Sequence, residues 1–302
     1  MVRNVEMTHV QQLNLHHSKA ASALLCRRWD VNQYDIALLQ EPWIFKSKIA
    51  GLTVKQGTLY YDQTTDRPRA CLIVRKGTKA LFLPQLSSPD LAVARVGTAV
   101  GRFIIGSAYL PYDAPDGPPS QELNRLVEHC ERKGEQLILG CDANAHNTVW
   151  GSSDTNRRGE QLLNFLVDKR LDILNRGDSP TFFNARRREI IDITICSMDI
   201  RARVRNWEVA ADITMSDHNA ITFSIDYGTR RGGTAHIRNI RNTDISYYKS
   251  VLEEKLSNMG ECRPLRNCTE ADRTVNDLTA IIRESFFAAC PAVPVIESDS
   301  TP

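Results

Sequence analysis

The sequence predicts an α/β fold in which two stacked sheets carry helices on their outer faces. Three observations lead there. Short apolar runs rich in β-branched residues recur as far as residue 226, each is too short for a buried helix, and only three helical patterns fall between them. Regular alternation of strand and helix would instead indicate a doubly wound parallel sheet.

Six runs read as strands: "DIALLQE" (35–41), "ACLIVRK" (70–76), "RFIIGSAYL" (102–110), "QLILGCD" (136–142), "IIDITIC" (190–196) and "AITFSID" (220–226). "QLNLHHS", carrying Asn14, supplies a further strand near the N-terminus. Among the helices, "SKAASALLCRRW" starts at Ser18 as N-cap and "SQELNRLVEHCERKG" ends at Gly134. "GEQLLNFLVDKR" groups Leu162, Leu163, Leu166 and Val167 on one face. From 227 to 244 the chain is rich in glycine and arginine and reads as a linker. Residues 245–302 show only helical patterns, too few to fold alone, so they are expected to dock on domain 1–226 or lead into a following domain.

Composition sets the outer bounds. The chain has 302 residues, 42% hydrophobic and 25% charged, which describes a soluble globular protein. A net charge of +2 neither announces a nucleic-acid binder nor excludes one whose basic residues cluster. Eight cysteines without a C-x-x-C pair read as reduced and mostly buried thiols. No signal-peptide core and no apolar run of roughly 18 residues is present, so an intracellular protein without a membrane segment is expected.

Chemistry-bearing residues recur at strand ends. Asn14, Glu41, Tyr109, Asp142 with Asn144, and "SDHN" (216–219) lie there, while Asp192 sits inside "IIDITI", where a half-buried acid needs a partner such as His218. Together they are the parts for phosphoester hydrolysis: hard oxygen ligands for Mg²⁺, donors for phosphate oxygens, and an oriented histidine. No G-x-S-x-G, P-loop, H-E-x-x-H or G-x-G-x-x-G motif competes, so the set points to metal-assisted attack by water.

The ordered series Asn14, "QE" (40–41), "AYLP" (108–111), "GCDAN" (140–144), "SPTF" (179–182), "IDITI" (191–195) and "SDHN" resembles the endonuclease/exonuclease/phosphatase superfamily over residues 7–226. "GCDANAHNTVWGS" followed by "RRGEQLLNFLVDKRLDILNRGDSPTF" resembles, within it, the apurinic-type endonuclease domain of insect non-LTR retrotransposons. The resemblance implies a four-layer α/β sandwich and a set of roles. Glu41 would bind Mg²⁺ or Mn²⁺ with Asn14 close by as ligand or phosphate contact, and Asp217 would support a second metal position or His218. Asp142 would orient or deprotonate the attacking water, Asn144 would hold the scissile phosphate, and Tyr109 would stabilise developing charge. Asp192 would fix and charge His218, which would face a phosphate oxygen.

Position 16 departs from the family pattern: relatives often carry an acid or glutamine there, and this chain has His16. His17 is expected to face solvent. Trp150 is expected to pack in the core or against a loop. Arg186, Arg187 and Arg188, with Arg201, Arg203 and Arg205, flank the Asp192 segment and are candidate contacts to DNA backbone.

The reading implied is a Mg²⁺-dependent endonuclease that nicks double-stranded target DNA and leaves a 3′-hydroxyl. That hydroxyl would prime reverse transcription of element RNA by a reverse transcriptase domain, which places the activity in the nucleus. An apurinic/apyrimidinic repair endonuclease or related phosphoesterase, and a catalytically inactive DNA-binding remnant, are the alternatives.

Overall fold

The computed structural model describes residues 7–98, 101–227, 236–238, 243–259, 268–290 and 292–294. The chain divides into two compact units, Met1–Thr229 and Arg230–Pro302.

The first unit contains two six-stranded sheets. One runs, edge to edge, Val204–Val209, Ile221–Asp226, Met7–Asn14, Ile36–Gln40, Ala70–Arg75, Gly57–Tyr60. The other runs Leu171–Ile173, Asp192–Ser197, Gln136–Asp142, Gly101–Tyr109, Leu91–Thr98, Lys79–Phe82. Each sheet has a single parallel pair, Met7–Asn14 with Ile36–Gln40 and Gly101–Tyr109 with Gln136–Asp142. A helix makes each crossover, as a parallel connection requires: Lys19–Val31 in the first sheet, Gln121–Lys133 in the second.

Local sequence explains the helix limits. The Ser18 hydroxyl accepts from the amide of Ala21, Ser120 does the same for Leu123, and Gly134 closes its helix in the left-handed conformation, with φ 60°. Arg157–Asp168 is capped by Asn156, whose side chain accepts from Gly159.

The inner faces of the sheets interdigitate through Val10, Ile36, Leu38 and Leu72 against Ala94, Phe103, Ile105 and Ile138. Leu25, Trp29, Leu39 and Ile73 bury the outer face of the first sheet under helix Lys19–Val31. On the second sheet, Leu123, Leu126, Leu162 and Leu166 cover Ile104, Leu137, Leu139 and Ile193. The result is the helix–sheet–sheet–helix sandwich that the run pattern predicts.

Some details depart from expectation. Leu91–Thr98 is a central strand whose pattern Arg95 interrupts; the arginine is tolerated because its guanidinium bonds both carboxylate oxygens of Glu135, at 2.7 and 2.9 Å. Val167 is exposed, because Leu162 and Leu166 set the inward stripe of their helix and leave it to one side. Trp150 is fully buried in the core, as expected. Cys26, Cys71, Cys130, Cys141, Cys196 and Cys290 are free, and of these all but Cys26 are buried.

In the second unit, helices Ile245–Asn258 and Cys268–Ala289 pack on each other, and Lys255 pairs with Glu284. His236–Arg238, within the segment expected to be linker, pairs antiparallel with Ala292–Pro294; the rest of 228–242 lies outside the described residues. Among the described residues no helix is long and apolar enough to cross a membrane.

Candidate active site

Strand register assembles the site. In the second sheet Asp142 stands opposite Tyr109 on one side and Asp192 on the other, so three candidate residues end their strands at one level. In the first sheet Asn14 pairs with Gln40, which leaves Glu41 just beyond the strand end. The two sheets then present these ends to each other. The Asn14 amide donates to Asp142 Oδ2 at 2.7 Å and to Glu41 Oε2 at 3.1 Å, joining residues that are 128 and 27 positions away.

The network extends through the last loop. Asp192 Oδ2 lies 2.7 Å from Nδ1 of His218, both side chains being buried, and Nε2 of His218 lies 3.8 Å from Asp217 Oδ1. Asp217 in turn faces Nδ1 of His16 at 3.0 Å. The amide of Asn144 donates to Asp142 Oδ1 at 3.2 Å. Donor atoms of Asp142, Asp192 and His218 fall within 4.8 Å of one another, and Asp192 Oδ1 is buried without a partner among the described residues. His16, His17, Glu41 and Asn144 all hold positive φ, between 45° and 52°, a strained state for non-glycine residues that clusters at functional sites.

Electrostatics separate the acids. Burial pushes Glu41 up, but hydrogen bonds from His17, Asn14 and Tyr109 outweigh it and hold the carboxyl at about 2. Burial, reinforced by the nearby Asp192 charge, pushes Asp142 up to about 7. Burial disfavours a charged His218, yet the Asp192 carboxylate overcomes it and raises the imidazole to about 9. Burial and the Glu41 and Asp142 charges raise the Tyr109 phenol, keeping its proton. The neutral pH arrangement is an anionic Glu41, an imidazolium at His218 and an Asp142 able to exchange a proton.

Several contributors play roles that the sequence does not announce. Thr181, buried in "SPTF", accepts the amides of Ile191 and Asp192 on its hydroxyl at 3.1 and 3.0 Å and fixes the start of the Asp192 strand. Arg158 donates to the carbonyls of Asn144, Ala143, Leu110 and Tyr112, stitching the loop after Tyr109 to the loop of Asn144. Gln12 and Gln40 cross between the sheets. Gln40 belongs to the quoted "QE" pair, and Gln12 carries a signal in its two-residue spacing from Asn14, which places both on the inner strand face. His17 departs from its expected solvent-facing role: its ring is half exposed, but Nε2 lies 3.4 Å from Glu41 Oε1. Asn14 has both amide atoms engaged within the protein, its Oδ1 accepting from the amide of His16 at 2.7 Å, so it orients Glu41 and Asp142.

The basic candidates divide. Arg186, Arg187 and Arg188 are exposed on the hairpin of Phe182–Phe183 and Arg188–Glu189, turned by Asn184, whose side chain accepts the amides of Arg186 and Arg187. Arg187 lies over the ring of Phe182, and Phe182 meets His218 edge-on, 5.1 Å between centroids, so this hairpin borders the site. Arg201, Arg203 and Arg205 do not. They follow the far end of strand Asp192–Ser197, roughly 17 Å along at the usual strand rise. There Arg201 pairs with Asp172, and Arg203 and Arg205 bond backbone carbonyls.

The chain matches known proteins in sequence and fold. The family described as Endonuclease-reverse transcriptase matches residues 103–222. The solved endonuclease domain of TRAS1, a telomere-specific non-LTR retrotransposon, is 30% identical, covers 74% of this chain and 100% of its own, and superposes with a TM-score of 0.64. An AP endonuclease of Leishmania major shares the fold at 11% identity, covering 74% of this chain and 88% of its own with a TM-score of 0.58. The probable RNA-directed DNA polymerase from transposon X-element of Drosophila melanogaster is 24% identical over 204 residues, 66% of this chain. This chain spans about a fifth of that relative's length, 21%. The chain belongs to the non-LTR retrotransposon endonucleases of the endonuclease/exonuclease/phosphatase superfamily.

Proposed function

We propose that the chain is a divalent-metal-dependent DNA endonuclease that hydrolyses one phosphodiester of double-stranded target DNA and leaves a 3′-hydroxyl. One observation carries the reading. Asn14 and Glu41 from one sheet meet Asp142, Asp192 and His218 from the other in a single hydrogen-bonded series, with an ionised acid, an acid that titrates near neutrality and a charged histidine side by side.

Asp142 accepts the proton of the attacking water; a base titrating near the working pH suits that task. Its orientation comes from the Asn14 amide on one oxygen and the Asn144 backbone on the other. The Asn144 side chain and the His218 imidazolium donate to phosphate oxygens as negative charge grows there, and Tyr109 adds a neutral hydroxyl donor. Asp192 holds the His218 ring by Nδ1, which leaves Nε2 for the substrate.

The donor set fits a hard divalent cation at Glu41. Its carboxylate is ionised and partly solvent-accessible, with Asp217 near the same end of the fold. Bound there, Mg²⁺ or Mn²⁺ would supply Lewis-acid stabilisation to a phosphate oxygen. Arg186, Arg187 and Arg188 contribute backbone affinity from the hairpin rim. The likeness to a transposon polymerase supports a further step, in which the 3′-hydroxyl primes reverse transcription of element RNA in the nucleus by a reverse transcriptase domain.

The test is incubation with supercoiled plasmid, an oligonucleotide bearing one abasic site and a soluble inositol phosphate, each with Mg²⁺ or EDTA. Nicked circles that prime a polymerase without phosphatase treatment are the expected product. Preference for the abasic strand would favour a repair enzyme, and salt-dependent binding without cleavage would reveal a remnant.

A further inference from the structure

We infer that His17 is itself a ligand of the cation at Glu41, making a mixed nitrogen–oxygen site that prefers Mn²⁺ to Mg²⁺. The inference rests on the metal-dependent reading above.

Both nitrogens of the His17 ring face acceptors. Nδ1 lies 3.2 Å from the carbonyl of Pro42, and Nε2 lies 3.4 Å from Oε1 of Glu41. Neither oxygen has a hydrogen to give. Nδ1 is therefore the donor to the carbonyl, and Nε2 is the nitrogen turned to the carboxylate. An Nδ1–H held by a backbone carbonyl is the arrangement that orients a metal-ligating imidazole and fixes its tautomer.

The spacing agrees. Two ligands at right angles, each ~2.1 Å from one ion, lie ~3 Å apart, near the separation found between Nε2 and Oε1. The backbone holds the pair face to face, since the amide of His17 donates to the carbonyl of Glu41 at 2.8 Å. Both residues hold left-handed φ, 52° and 45°. Access is open from one side, because the His17 side chain is 54% exposed beside a Glu41 that is 17% exposed. Mg²⁺ demands near-ideal octahedral oxygen coordination and keeps its waters; Mn²⁺ also favours oxygen donors but accepts one imidazole more readily, so a nitrogen in this shell shifts the preference from Mg²⁺ towards Mn²⁺.

The experiment uses the full chain loaded with Mn²⁺ and reads electron spin-echo modulation from ¹⁴N, together with calorimetric affinities for Mn²⁺ and Mg²⁺. Histidine modulation is expected in the unmodified protein and in His16→Ala, and is expected to vanish in His17→Ala. The Mn²⁺ to Mg²⁺ affinity ratio should fall about 10-fold in His17→Ala, while Mg²⁺ affinity changes less than about 3-fold. Glu41→Gln should weaken both ions. Absent modulation in the unmodified protein, modulation that survives His17→Ala, or an unchanged ratio would overturn the assignment. If His17→Ala fails to fold, His17→Gln, which removes the imidazole but keeps a polar side chain, is read in its place. Nitrogen coupling without DNA cleavage would sink the nuclease reading and leave His17 as ligand, and cleavage without coupling would do the reverse.

Discussion

Replacing Asp192 by Asn tests the charge arrangement at its most sensitive point. The carboxylate sits 2.7 Å from His218 Nδ1 with 3% of its side chain exposed, and it is the main group raising the imidazole from 6.5 to about 9 against burial. That rise corresponds to about 3 kcal/mol of preference for the charged ring. The amide keeps the shape of the acid but removes its charge, while the burial that disfavours imidazolium stays, so His218 in the variant is neutral at pH 7.5. The expected loss in single-turnover nicking at that pH is on the order of 10²- to 10³-fold, with DNA affinity nearly unchanged. The pH profile gives the sharper reading. Activity of the unmodified protein should hold to high pH and fall through about 9 as the ring loses its proton, whereas the variant should already have lost activity well below that. Stability follows the same group: a raised histidine stabilises the fold fully below about pH 6.5 and loses that contribution as pH rises through about 9, and Asp192→Asn should flatten this arm of a denaturation series. An NMR titration placing His218 near 6.5 in the unmodified protein, or a pH–rate profile that the substitution leaves in place, would refute the reasoning.

His218→Ala should lower the nicking rate by about 10²-fold or more with little change in filter-binding affinity, and equal losses in both would remove His218 from the transition state. Replacing Arg186, Arg187 and Arg188 together by Ala should weaken binding most at low salt and flatten the slope of log affinity against log salt by up to about one for each phosphate no longer neutralised; an unchanged slope would make the hairpin a solvated turn. Gly159→Ala should lower the unfolding free energy by about 2 kcal/mol or more and reduce nicking, because the added carbon would stand 1.8 Å from the His146 carbonyl in the loop that follows Asn144; a melting curve matching the unmodified protein would show that the helix can retreat.

Which parts are legible in the sequence follows from where their information lies. Asn14, Glu41, Tyr109, Asp142, Asp192 and His218 stand out because polar side chains at the ends of apolar strands break a pattern that burial otherwise enforces. Thr181 and Arg158 lie within quoted motifs, but both act on backbone groups outside their own segments, so their motifs mark the residues without announcing the roles. Arg201, Arg203 and Arg205 mislead for a related reason. Nearness in sequence to Asp192 says nothing about which end of its strand they occupy, and a six-residue strand puts them at the wrong one. His17 escapes a sequence reading because its direction depends on a left-handed backbone turn that residue identity does not announce. Strand Leu91–Thr98 is hidden by Arg95, whose partner Glu135 lies 40 residues on.

The site is divided between two sheets, so its precision depends on what keeps them in register. Apolar packing alone is poorly directional and would permit small slips. The inner layer instead carries polar cross-ties directly behind the site. Gln40, next to Glu41, donates to Ser107 Oγ at 2.8 Å, and Ser107 precedes Tyr109 by two positions on its strand. Gln12, two before Asn14, donates to the carbonyl of Ile193 at 3.2 Å and accepts from Thr194 Oγ1 at 2.9 Å, on the strand that begins at Asp192. The Trp207 indole completes this tie by donating to the same threonine at 2.9 Å. Gly140 makes room for it, since a Cβ there would come within 2.9 Å of the Gln12 amide. Such directional bonds in a dry layer are costly to break singly and admit one relative position of the strands. The glycine of "GCDAN" and the glutamines beside Asn14 and Glu41 thus serve one end: they hold Glu41 and Asp142, from separate sheets, at the distance of one shared asparagine.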